Sequence, residues 1–358
     1  MTVSLCVIAY NEEEHISGLL EDIAGQTYPH NLVELVFVDN GSTDTTPALM
    51  SSFERFNRDF MRICIISQQK SNQAKGWNTA LCSAMGDIII RIDAHGRIPF
   101  DYVEQCVYEI ENGEYIVGGG RPCISYHHDE WSDTLLAAEE CLFGSSIMGY
   151  RRKHDEKKYL SSLFHAAYRR EVFEKVGGFN ETLGRTEDNE LHYRMRKRGY
   201  RFACCPNISS NQYIRSSFKS MIRQKWSNGL WIGLTCFVSP RCLSVLHFAP
   251  FALVAVLIIT INMAAQGSSR LLGLLLIAYI LFDAAITISA FSFNGFNKYK
   301  PLLFLMFPAL HISYGIGTLC GIVIGIPWKV LHPSAEAKKQ IRKVKRTVRA
   351  NTIKDEYD

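Results

Sequence analysis

The stretch IIIRIDAHGRIPFDYV, residues 88–103, runs an apolar segment into an acid, a small residue and a histidine, then a glycine. The run from Ile88 to Ile92 reads as a buried strand. On an extended segment, residues two apart point the same way, which would bring Asp93 and His95 together. A carboxylate beside an imidazole suits a divalent cation whose shell is completed by a ligand's phosphates. Mg²⁺ takes few protein groups in such sites, and imidazole admits Mn²⁺. Ordinary loop polarity is the competing reading of so short a pair.

The same punctuation recurs upstream. VSLCVIAY ends at Asn11, VELVFVDN at Asp39 before a Gly-Ser-Thr-Asp turn, and MRICIISQ at Gln68. Between these runs lie helix patterns, the first marked by Ile16, Leu19, Leu20 and Ile23, a later one by AKGWNTALCSAM. Strands alternating with helices predict an α/β sheet with parallel pairing and ligands at the strands' C-terminal ends, where the polar residues gather. YIVGGG, 115–120, reads as a further strand; GGGRP fits neither a dinucleotide fingerprint nor a P-loop. The basic run at 150–158 reads as a solvated loop, or as a loop ordered over a phosphorylated acceptor.

Charge and hydropathy divide the 358 residues unevenly. Seven of the 39 Lys and Arg crowd into 338–349, and without them 32 face 35 Asp and Glu, so the basic excess belongs to a tail and not to a nucleic-acid-binding body. The eleven cysteines show no C-x-x-C pair, and Cys204-Cys205 are adjacent, which predicts reduced thiols and a cytosolic large domain. The first strand follows the N-terminus with no basic leader, so no cleaved signal peptide is expected.

Four segments are predicted: a soluble domain at 1–210, an amphipathic region at 211–241, membrane helices within 242–331, and a basic tail at 332–358. In 215–227, Phe218, Met221, Ile222 and Trp226 share one face, and Arg215, Lys219 and Arg223 lie largely on another, which suits a membrane interface or a core helix with a solvated face. Runs at about 243–265, 271–292 and 302–327 are each long enough for ~30 Å of hydrocarbon. Three full crossings would put the basic tail opposite a cytosolic domain, against the positive-inside tendency. The third run, with Pro308 and several glycines, is the suspect for a segment that does not cross.

Glu187-Asp188 open a helix pattern in GRTEDNELHYRMRKRGY. Negative charge there is favourable on structural grounds alone. A carboxylate held at a cleft also suits removal of a proton from an incoming hydroxyl.

VIAYNEEEHI, VFVDNGSTDTT, AKGWNTAL, RIDAH, FHAAYRREVFEKVGGFNE, RTEDNELHYRMRKRGYRF and RQKWSNGLW occur in this order. Together they resemble the family 2 inverting glycosyltransferases with the GT-A fold, a Rossmann-like mixed sheet, and more narrowly the membrane-attached succinoglycan-biosynthesis type. The resemblance covers 3–235. It implies that Ala9, Tyr10, Glu12, Asp39, Lys75 and Gly76 line the nucleotide-sugar pocket. Asp93 and His95 would stand in the D-x-D positions, binding donor and Mg²⁺ or Mn²⁺. Asp188 would be the general base with Glu187 beside it, and Gln224 and Trp226 would meet the acceptor. Ser227 departs from the arginine of the Q-x-x-R-W pattern, and Asn40 stands where an acid is common.

The expected function is metal-dependent, inverting transfer from a nucleotide sugar, a UDP-sugar, to a polyprenyl-diphosphate-linked saccharide in capsule or exopolysaccharide synthesis. Its expected partners are membrane lipid and other polysaccharide-assembly enzymes, with no nucleic acid. The expected location is a bacterial plasma membrane, with the catalytic domain facing the cytosol. Transfer to a polyprenyl phosphate, processive polysaccharide synthesis and a non-catalytic nucleotide-sugar-binding scaffold are the alternatives.

Overall fold

The structure, a computed structural model, describes residues 1–141 and 154–355. Part of the basic run at 150–158 therefore lies outside the described residues, as does the end of the tail. The strands in chain order are β1 (Val3–Ala9), β2 (Val33–Asp39), β3 (Arg62–Ser67), β4 (Ile88–Asp93), β5 (Gly96–Arg97), β6 (Ile116–Gly120), β7 (Cys123–Ile124), β8 (Lys158–Leu160), β9 (Ala167–Arg169), β10 (Phe202–Ser209) and β11 (Asn211–Tyr213). The helices are α1 (Ile16–Ala24), α2 (Thr46–Phe56), α3 (Gln73–Ser83), α4 (Tyr102–Glu111), α5 (Glu130–Glu140), α6 (Arg170–Val176), α7 (Glu187–Lys197), α8 (Phe218–Thr235), α9 (Ala249–Ala265), α10 (Arg270–Ala290), α11 (Leu303–Leu331) and α12 (Ser334–Asp355).

The chain forms two compact units, and they do not follow the predicted segment boundaries. The first holds Met1–Pro122, Gly149–Gln212 and His332–Asp358. The second holds Cys123–Met148 and Tyr213–Leu331.

An eight-stranded sheet in the order β3-β2-β1-β4-β9-β6-β10-β8 organises the first unit. β1 runs parallel to β2 and β4, and β2 parallel to β3, as the alternation of strands and helices predicts. The sheet is nevertheless mixed. β9 runs antiparallel between β4 and β6, and β8 antiparallel against β10. Period-two alternation sorts the side chains into two cores. Val3, Leu5, Val7, Ile88, Ile90 and Ile92 face α1, α2 and α4. Cys6, Ile8, Val36, Val38 and Ile89 face α3, α6 and α7. Cys204 and Cys205 fall into opposite cores, which is why adjacent thiols are both buried and free.

The basic tail is an integral helix of this unit. α12 packs on α6 and α3, with Val344 and Val348 buried among the residues of the second core. Lys345 Nζ donates to the Lys175 carbonyl, Arg349 Nε to that of Glu174, and Asn351 Nδ2 to that of Cys82. These side chains satisfy carbonyls near the ends of α6 and α3, the groups a helix C-terminus leaves free.

In the second unit, α8 and α11 lie against each other backbone to backbone. A Cβ on Gly229 would stand 2.0 Å from the Tyr314 carbonyl oxygen, so only glycine permits the approach. Phe218, Met221 and Ile222 of α8 pack against Leu303, Met306 and Phe307, while Trp226 stays exposed. The predicted apolar face is thus mostly turned into the unit's own core. Lys225 is buried in an ion pair with Glu139 of α5 at 3.0 Å. Among the described residues, three helices are long and apolar enough to cross a membrane: Val245–Ala265, Arg270–Ala290 and Lys300–Leu331. Their outward residues, such as Ile259, Leu281 and Val323, are large, apolar and exposed.

Candidate active site

Asp93 is the last residue of β4 and shares its face with Arg91, two residues earlier. His95 is not on that extended segment. It lies in the turn between β4 and β5, so the same-face argument for the pair does not hold. Its ring is fixed by other means. Nδ1–H donates to Glu12 Oε1 at 3.1 Å, and Nε2 accepts from Gln212 Nε2 at 2.6 Å. Gln212 in turn accepts from Arg121. Burial opposes the charge on Glu12, but hydrogen bonds from His15 and His95 outweigh it and take its carboxyl down to about 2.

Asp93 is enclosed by positive and imidazole groups. Its Oδ2 lies 3.5 Å from His165 Nε2 and 3.8 Å from Arg121 Nη1, and its Oδ1 4.0 Å from Arg91 Nη2. Burial works against its charge, yet His165, Arg91 and His95 hold the carboxyl well below the usual range. Burial also takes His165 down to about 4. At neutral pH that imidazole is uncharged, and the two arginines supply the lasting positive charge.

Glu187 and Asp188 open α7, where the helix N-terminus favours acids. Both are buried. Asp188 accepts from both terminal nitrogens of Arg91, Nη2 to Oδ2 at 3.2 Å. The guanidinium lies over Trp77 at 4.4 Å and over Phe179 at 5.2 Å. Glu187 Oε2 has no hydrogen-bond partner. Burial, then repulsion from Asp188, raises its carboxyl to about 8. Of two neighbouring acids, burial thus keeps Glu187 protonated at neutral pH, while Asp188 meets an arginine.

The remaining predicted donor-site residues gather at the ends of β1, β2 and β3. Ala9 and Asp39 are in register across β1 and β2. Asp39 Oδ1 accepts from the Ser42 N–H at 3.0 Å, closing the turn after β2. Tyr10 is partly exposed, with the Lys70 ammonium 4.9 Å over its ring. Lys75 is exposed in the first turn of α3, its N–H capped by Asn72 Oδ1. Gly76 lies under Asn40, whose side chain occupies the space a Cβ would need. Gln224 and Trp226 are on α8 of the second unit.

Arg91, Arg121, His165 and Gln212 were not singled out from sequence. Arg91 carried a readable signal: an arginine inside an apolar strand, on the same face as an acid, requires a buried anionic partner.

Among the described residues, no cluster of three or more His, Cys, Asp or Glu side chains could hold a metal. The residues present still fit an ion shared with a diphosphate. Asp93 Oδ1 is buried with no hydrogen-bond partner, and His95 offers an imidazole nitrogen now paired only with a neutral amide. Two protein donors plus phosphate oxygens are what such a cation needs.

A Glycosyl transferase family 2 profile matches residues 4–177. That span includes Asp93 and ends before Glu187. The chain is 30% identical over 237 residues to the succinoglycan biosynthesis protein ExoA of Rhizobium meliloti, covering 64% of this chain and 68% of that one. It is 26% identical over 321 residues to a dolichyl N-acetyl-alpha-D-glucosaminyl phosphate glucuronosyltransferase of Methanococcus voltae, covering 87% and 95%. A solved mannosyltransferase from Pyrobaculum calidifontis, in complex with GDP-Man and Mn²⁺, shares the fold at a TM-score of 0.59, with 22% identity over 88% of this chain and 86% of that one. The mixed sheet is therefore a GT-A fold, and the chain belongs to glycosyl transferase family 2 and is a glycosyltransferase.

Proposed function

We propose that the protein is a membrane-attached, inverting glycosyltransferase that moves a sugar from a nucleotide diphosphate, a UDP-sugar, to a hydroxyl of a polyprenyl-linked saccharide at the cytosolic leaflet. The observation that carries this reading is the reach of one guanidinium. Arg91 binds Asp188 and lies 4.0 Å from Asp93, so the donor-side carboxylate and the candidate base belong to one buried cluster.

Asp93 and His95 would hold the cation, with Glu12 orienting the imidazole through Nδ1–H and the cation taking the place of Gln212 at Nε2. The chemistry supplied by a bound divalent cation is neutralisation of charge on the departing diphosphate. Ala9, Tyr10, Asp39, Lys75 and Gly76 would line the nucleotide. Asp188 keeps lone pairs not used by Arg91 and takes the acceptor's hydroxyl proton. The acceptor oxygen then bonds to the anomeric carbon as the bond to the diphosphate breaks, and the diphosphate leaves with the electron pair. Attack from the opposite face inverts the configuration, and no enzyme nucleophile is used. The three apolar helices would keep the site near lipid-borne acceptor, raising its effective concentration.

The activity for which the Methanococcus voltae relative is named, on a dolichyl-phosphate-borne sugar, supports a polyprenyl-linked saccharide over a bare lipid phosphate. The test is to incubate purified protein with a panel of UDP-sugars and polyprenyl-linked acceptors, with and without Mn²⁺, and identify products by mass spectrometry and their anomeric configuration by NMR. Inverted, cation-dependent product supports the reading. Retained configuration, or cation-independent transfer, contradicts it.

A further inference from the structure

Arg91 is buried in the middle of β4, an expensive place for a guanidinium without a full set of partners. Trp77 of α3 and Phe179, which follows α6, pack against it side by side, their ring centroids 6.4 Å apart, and Asp188 meets it with both oxygens. Asp93 lies at the edge of the same group at 4.0 Å. A planar fork matched to a carboxylate fixes direction as well as charge, which a lysine does not reproduce. The backbone adds to this, since the Arg91 N–H donates to the Ala166 carbonyl at 3.0 Å in the β4–β9 region.

We propose that Arg91 is the positioning residue for the transfer reaction: packed against Trp77 and Phe179, it aims the Asp188 carboxylate and ties its placement to that of Asp93. This rests on the reading of Asp188 as the base. Arg91 does not touch the reacting atoms; it works through Asp188. Its loss should therefore lower kcat and leave donor affinity nearly intact, and it should cost nothing once Asp188 cannot accept a proton.

The experiment is a double-mutant cycle with Arg91→Lys and Asp188→Asn, reading kcat, donor KM and thermal melting on the full chain. The expected result is a kcat fall of roughly 100-fold in Arg91→Lys with donor KM changed by less than about threefold, and no further fall when it is added to Asp188→Asn. Phe179→Leu, a second variant, loosens the aromatic packing on the guanidinium without removing charge. It should lower kcat by about three- to tenfold, and that loss should also vanish in the Asp188→Asn background. Losses that multiply in the double variants, or a kcat of Arg91→Lys near wild type, would overturn the assignment of Arg91 alone. Unimpaired turnover by Asp188→Asn would instead remove the base reading on which it stands.

Discussion

Glu187 and Asp188 show how environment separates two adjacent acids. Glu187 is protonated in the folded protein up to about pH 8, against an ordinary value near 4.5 in the unfolded chain. The folded state thus binds the extra proton between those values. Its stabilising contribution is complete below about pH 4.5 and is lost as pH rises toward 8, on the order of a few kcal/mol in all. Glu187→Gln keeps the shape and removes the titration. Thermal melts at about pH 5 and about pH 9 should show wild type losing several degrees more than the variant across that interval. Equal losses would contradict the burial of an unpaired acid. At this scale the sequence exposed Asp93 and Asp188 because each follows a recognisable pattern boundary, a strand end and a helix start. It hid His165 and Gln212, since each meets the site from a segment whose path depends on β9 and β11, elements of three residues with too little periodicity to read.

The C-terminal helix carries its own lesson at the scale of elements. Ile341, Val344 and Val348 repeat at helical spacing inside the seven-cation run, so an apolar stripe was present beneath the charge. Charge count alone described that segment as a tail, and only the packing reveals α12 as a wall of the second core. Val348 is fully buried there. Val348→Asp should cost on the order of 3 kcal/mol or more, read as a lower melting temperature and loss of transfer, whereas Arg346→Gln on the same helix should leave melting nearly unchanged. A silent Val348→Asp would mean the helix does not contribute to the fold. The strands β1 to β4 were legible because each carries a run of apolar residues over six or seven positions. The antiparallel insertion of β9 was not, because direction is set by the path of the chain and not by side-chain alternation.

For the whole molecule, α12 constrains the membrane topology. The chain leaves the sheet-bearing unit at Gln212 and re-enters it at His332, so both ends lie on one side of any bilayer. The number of complete crossings between them must be even, and the three apolar helices cannot all cross. The segment joining α9 to α10 spans residues 266–269 and carries no charge, whereas the one before α11 contains Lys298, a cation bias that favours the second on the same side as the basic α12. A protease site inserted near residue 295 should be cut from the same side as one at the C-terminus, and a site near 267 from the opposite side. Cleavage at the C-terminus from the side opposite to cleavage in the sheet-bearing unit would refute the packing of α12, and cleavage of 295 and the C-terminus from opposite sides would refute the assignment of the two connecting segments. The claim that Asp93 and Asp188 serve one transfer reaction is tested most directly by Asp188→Asn, assayed for UDP-sugar binding and for sugar transfer in the same preparation. Donor binding within about threefold of wild type with transfer reduced by roughly 100-fold or more is the predicted result; undiminished transfer would contradict it.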